Sequence, residues 1–177
     1  MSFQSSVTPS GKNSYELTLE GRTHSPHWFV HLFASLSQLQ VSIISGHAEQ
    51  VGPGEWESTF MLDFSRSSAD PTELDYSAFA TQNTKLDRSI TPKLSRFKLV
   101  RRPDQLLDLQ LEGPDQIGFL ASILGRVSGL ALFPSLLEIR TVTGQIKDAI
   151  VLRGIGNRPP SEEAYQALGT MLRSFVA

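Results

Sequence analysis

Two rhythms of apolar and polar residues alternate along this chain. Tyr15, Leu17 and Leu19 are separated by Glu16 and Thr18, the period-two pattern of a strand with one buried face. Residues 21–26 break it. Trp28, Phe29, Leu32, Phe33, Leu36 and Leu39 then recur at helical spacing, with Pro26 suited to the first turn. Residues 41–50 predict a second strand and 51–54 a hairpin loop, and Trp56, Ser58, Phe60, Leu62 and Phe64 form the inward face of a third strand. Asp70, Pro71 and Glu73 give a helix start signal, with Asp70 as cap, for a short helix to about residue 82. Residues 83–92 are polar and irregular, and 94–100 carry strand character that fits either a fourth strand or a linker. Residues 1–14, serine-rich and without period, read as a loose tail.

The same order then returns. Leu107, Leu109 and Leu111 alternate, residues 112–118 form a polar, glycine-containing turn, and Phe119, Leu120, Ile123, Leu124 and Val127 begin a helix. Residues 132–142 and 146–152 read as two strands turning at Gly144, and 153–160 as a loop. Ser161 caps a last helix with Glu162 and Glu163 in its first turn and a stripe of Tyr165, Leu168, Leu172 and Phe175. The two long helices superpose in sequence without gaps, His27 on Gly118, Trp28 on Phe119, Leu32 on Ile123 and Leu36 on Val127. This pattern predicts an α+β fold of two ferredoxin-like (βαββαβ-type) units packed side by side. The first spans residues 15–102, with 83–102 as linker or fourth strand, and the second 103–177, its last strand missing or supplied from elsewhere. Each unit alone buries a modest core, so their pairing is physically expected.

The turn at residues 115–120, Asp-Gln-Ile-Gly-Phe-Leu, resembles the helix-start signature Asp-x-Pro-Gly-(Phe/Leu)-Leu of the ACT domain, a small ferredoxin-like regulatory module. Ile117 stands where that family usually has proline. The matching stretch of the first unit, residues 24–29, keeps Pro26 and lacks both the aspartate and the glycine. The resemblance implies a tandem ACT protein of the regulatory type, sensing an amino acid or related metabolite. Independently of it, the unpaired amides at a helix start suit a carboxylate. Gly118 lets a ligand approach the backbone, and Asp115 either caps the helix or receives an ammonium group. The expected ligand site is therefore Asp115, Gln116, Ile117, Gly118 and Phe119. His27 is expected to narrow the equivalent pocket of the first unit. The resemblance also implies a pocket wall from the adjoining unit.

Composition narrows the remaining classes. The chain has 177 residues, 40% of them hydrophobic, a net charge of -2 and no cysteine, with a pI of about 6.1. These values give no global attraction to nucleic acid or an anionic membrane, no disulfide framework and no thiolate chemistry. No stretch approaches the roughly twenty apolar residues of a membrane span, and the first residues lack a signal-peptide pattern, so a cytoplasmic protein is expected. His27 and His31 share a helix face at metal-chelating spacing, with His47 expected near the same edge; a solvated helix face is the competing reading. Lys85, Arg88, Lys93, Arg96, Lys98, Arg101 and Arg102 form a basic stretch whose one aromatic, Phe97, argues against RNA binding and for a charged strand edge. Residues 153–158, Arg-Gly-Ile-Gly-Asn-Arg, lack the third glycine of a dinucleotide loop and the Gly-Lys-Ser/Thr of a P-loop. No nucleophile motif or carboxylate pair marks a catalytic site. The expectation is a non-enzymatic protein without cofactor, binding a small ligand such as an amino acid and assembling as a homo-oligomer or with a partner protein. The alternative is a ligand-free protein-protein assembly module.

Overall fold

A computed structural model describes residues 2–177. The strands are β1 (Ser2–Pro9), β2 (Ser14–Arg22), β3 (Ser42–Gly52), β4 (Glu55–Asp63), β5 (Arg96–Arg101), β6 (Leu107–Pro114), β7 (Phe133–Val142) and β8 (Gln145–Arg153). The helices are α1 (Trp28–Gln38), α2 (Tyr76–Thr81), α3 (Phe119–Ser128) and α4 (Glu162–Arg173). All eight strands form one antiparallel sheet in the order β1-β2-β4-β3-β7-β8-β6-β5. Two ferredoxin-like units thus lie side by side, as the repeat predicts. They are joined where Ser45–Glu49 of β3 pairs with Leu136–Arg140 of β7.

The internal repeat is visible in strand register. Leu19 lies opposite Ser58 and Gly21 opposite Trp56, while Leu111 lies opposite Asp148 and Gly113 opposite Ile146. Along β4 and β8, Trp56, Phe60 and Leu62 and Ile146, Ile150 and Leu152 are all buried, as period two requires when one sheet face is covered. Trp28, Phe29, Leu32, Phe33 and Leu36 of α1, and Phe119, Ile123, Leu124 and Val127 of α3, fill the same core from above. The other sheet face is polar at the seam, where the His47 ring pairs with Glu138 across β3 and β7.

Three boundaries differ from the sequence reading. Residues 2–9 are a strand and not a loose tail, and residue 1 lies outside the described residues. β1 takes the edge position beside β2, and Phe3 tucks against Trp28 with ring centroids 4.9 Å apart. Its signal is weak because Ser5 interrupts the inward side between Phe3 and Val7. Residues 96–101 pair with β6 and so complete the second unit's sheet, occupying the edge that β1 occupies in the first. In both units the fourth-strand position is filled by a segment that precedes the first core strand. Finally, the short helix begins at Tyr76 and is capped by Asp75, whose side chain accepts from the Ala78 amide. Asp70 instead closes a local turn by accepting from the Thr72 amide and hydroxyl.

The connection over residues 82–95 is draped across both long helices. The Gln38 side chain donates to the Lys85 carbonyl, Ser35 and Thr84 share a hydroxyl hydrogen bond, and Ser122 and Arg126 both donate to the Ile90 carbonyl. The chain end is tied down as well, because the Leu94 amide donates to the Phe175 carbonyl and Ala177 donates back to Leu94. Ser161 caps α4 by accepting from the Ala164 amide, as expected.

Candidate functional site

β6 delivers the turn at Asp115–Phe119 to one end of the seam, where it meets the last turn of α1 and the start of β3. The space between them is a cavity of about 30 Å³. All five expected ligand residues line it, together with Phe33, Ser37 and Ile43 from the first unit and Thr141 and Asp148 from the second. The adjoining wall that the sequence left unidentified is therefore the α1 end and the β3 start.

Gly118 is the N-cap of α3, at φ 83° and ψ 0°, a left-handed conformation that L side chains rarely adopt. His27, its counterpart at α1, sits at φ −99°, which explains why the first unit needs no glycine there. The space above Gly118 is occupied. A Cβ placed on it would come within 2.5 Å of Ile90 Cδ1 and 2.8 Å of Ser37 Oγ. The glycine thus serves the turn and a close approach of the connecting segment, and it also lines the cavity.

Asp115 does not cap the helix: no side chain caps α3, and the Asp115 amide donates to the Gly144 carbonyl at 2.9 Å, leaving its carboxylate exposed. The Phe119 amide donates to Gln116 and the Ser122 amide to Gly118, while the amides of Leu120 and Ala121 between them find no acceptor. Both residues line the cavity. Unpaired amides at a helix start carry the positive end of the dipole. Gln116 donates to the Thr91 carbonyl at 3.4 Å, and its own amide oxygen is buried without a partner. Ile117 is half-buried, and Phe119 is in the core.

The residue that sequence reasoning missed is Asp148. It lies on the inward side of β8 between Ile146 and Ile150 and is 2% exposed. One carboxylate oxygen accepts from the Arg140 amide at 3.1 Å, and the other is buried with no partner. Burial pushes the carboxyl up to about 7, opposed by the Arg140 hydrogen bond and aided by the charge of Asp115. The signal was present: an ionisable residue at an apolar position of an alternating strand, where the first unit has the buried Ser58. Ser58 satisfies its hydroxyl by donating to the Leu19 carbonyl at 2.7 Å. Asp148 is not satisfied in this way, and the Thr141 hydroxyl beside it is also buried without a partner. The cavity thus brings together two free amide donors and a partly unsatisfied carboxyl group, with apolar walls from both units.

No family model matches the sequence, and comparison with curated proteins finds no match. Among solved structures, aspartate kinase from Synechocystis is similar at a TM-score of 0.48 and 15% identity, over 93% of this chain and 28% of that one. The chain thus spans little more than a quarter of that protein's length.

The other candidates are placed apart from the cavity. His27 meets the edge of the Phe133 ring at 5.4 Å, and His31, with a buried unpartnered Nδ1, is held below its ordinary pKa by burial and by His27. His47 lies mid-strand in β3, paired to Glu138 and near Glu49, and does not join the other two as expected. The described residues hold no group of three or more potential metal ligands. In the basic stretch Arg96 pairs with Glu112, Arg101 with Glu162, and Arg102 with Asp104 and Asp108, while Phe97 packs against the core. No helix among the described residues is long and apolar enough to cross a membrane.

Proposed function

We propose that this protein is a non-enzymatic regulatory module of the ACT type that binds an amino acid or related metabolite in the cavity between its two units. The observation that carries the reading is the buried Asp148 carboxyl, with one oxygen unpartnered, in the same cavity as the free Leu120 and Ala121 amides. An α-amino acid presents the complementary pair of charges: its carboxylate matches the helix amides and its ammonium group matches an ionised Asp148. Ile43, Ile117 and Ile139 offer an apolar lining to a side chain.

A cavity of about 30 Å³ has room for about one or two waters, so an amino acid enters only if the walls move apart. The walls belong to different units, and ligand then favours a more open arrangement of α1, α3 and the connecting segment. That differential affinity is the physical basis of a regulatory population shift. Thermal melting against the twenty amino acids tests the reading. A true ligand at a hundred times its dissociation constant stabilises the fold by about 2.7 kcal/mol, and silence from all of them counts against it.

The same small volume favours a second reading, a ligand-free assembly module whose units exist to hold a partner or another copy. Its outcome in the same assay is no stabilisation by any amino acid, together with a discrete oligomer or complex by light scattering. Both readings take the chain to be cytoplasmic and without a cofactor.

A further inference from the structure

The opposite end of the seam holds a second concavity, an open groove of about 690 Å³ between the turn before α1 and the loop that follows β8. The sequence predicted this end to be narrowed by His27, but that ring turns aside onto Phe133 and leaves the groove open. Arg153, the last residue of β8, faces it. Its Nε is buried with no acceptor, and its guanidinium donates only to the adjacent Gly154 carbonyl, at 3.5 Å. Arg153 has no carboxylate partner among the described residues, and unlike the exposed arginines that also lack one it is desolvated by burial. Instead the guanidinium lies over the Phe133 ring, 5.9 Å from its centre, which fixes its plane by packing. A guanidinium has five donors in a rigid fork, so most of its hydrogen-bonding capacity is unspent.

The one charge facing the groove without a counter-charge is that of Arg153, because Arg22 is paired with Glu55 at its edge. Arg22 and His24 join Arg153 on the lining, and no aspartate or glutamate does. Burial without a compensating anion holds the Arg153 guanidinium below its ordinary pKa. In a chain of net charge -2, the uncompensated Arg153 guanidinium in this groove is complementary to an anion. Trp56 and the exposed Ile155 add apolar surface at its edge.

We propose that this groove binds a small organic oxyanion, a carboxylate or a phosphate ester, with Arg153 as the forked anchor and the side chains of His24 and Arg22 as flanking hydrogen-bond donors. The site is separate from the Asp148 cavity and does not depend on the amino-acid reading. The test follows the arginine Nε–Hε resonances and backbone amides by nuclear magnetic resonance at low salt, titrating inorganic phosphate and, separately, succinate. The expected result is a saturable shift at Arg153 Nε–Hε and at the amides of Gly154 and Ile155 with at least one probe. Response to phosphate alone assigns phosphate esters, and response to succinate assigns carboxylates. Arg153→Gln weakens binding by about tenfold or more. Gln50→Glu, which adds a carboxylate to the groove wall and leaves Arg153 on Phe133, does the same, while Asp148→Asn changes nothing here. Non-saturating shifts through millimolar concentrations, or saturable binding that survives both groove variants, would overturn the proposal.

Discussion

Replacing Asp148 with asparagine keeps the side-chain shape and the oxygen that accepts from the Arg140 amide, and removes the ionisable group. Burial raises the folded carboxyl from an ordinary 3.8 to about 7, so the folded chain holds this proton more tightly than the unfolded chain does. The resulting stabilisation is fully present below about pH 4 and is lost as pH rises through about 7. Each pH unit between the two titrations is worth about 1.4 kcal/mol, which sets the loss at up to about 4 kcal/mol. That is a large part of the 5–15 kcal/mol typical of a folded domain. Asp70, Asp87 and Glu112 have lowered pKa values and act in the opposite direction, but they are common to both proteins and cancel in the comparison. Urea unfolding of wild type and Asp148→Asn at about pH 4.5 and about pH 8 reads the effect. The variant gains relative to wild type at the higher pH by about 3 kcal/mol, the part of the loss that falls between these two pH values. An equal difference at both pH values would show that Asp148 is not buried as a neutral acid, and the cavity would lose its central polar group.

Other consequences are independent of that carboxyl. Phe3→Ala removes a buried ring from an edge strand and costs about 3 kcal/mol by chemical denaturation, whereas a loose tail would give no change. Gly118→Ala destabilises by about 1–2 kcal/mol from the left-handed backbone alone. It costs more from the crowding against Ile90 and Ser37, and Ile90→Ala in the same protein recovers part of that second cost. Asp75→Ala loses a helix cap worth about 1 kcal/mol, while Asp70→Ala stays within about 0.5 kcal/mol because it closes only a surface turn.

The parts of the fold legible in sequence were those where burial imposes a period. The apolar stripes of α1 and α3, the alternation in β2, β4 and β6, and the ungapped match between the helices led to the two-unit sheet, and the register of Leu19 with Ser58 and Leu111 with Asp148 repeats that match. Edge strands escaped because each has only one neighbour and few inward residues. β1 offers Phe3 and Val7 alone, and β5 could be read with either unit until its pairing with β6 was known. Helix starts were legible only in part, because a Ser or Asp before a helix does not reveal which local turn it closes. Ser161 caps as read, and Asp70 does not. The turn at Asp115–Phe119 was legible as a special place, but the reason for Gly118 was not, since it lies in the approach of Ile90 from a segment without period. Asp148 is visible only once β8 has a face.

Titration calorimetry with the twenty amino acids, in two buffers of different ionisation enthalpy, decides whether Asp148 receives a ligand ammonium group. If a ligand ammonium group binds an ionised Asp148, binding at about pH 6 must remove the proton that the empty cavity holds there. Heat is expected from at least one amino acid, with release of close to one proton near pH 6, little near pH 8, and no proton release at either pH in Asp148→Asn. Absence of heat from all twenty, or binding with no proton release and unchanged in the asparagine variant, would contradict that role of Asp148.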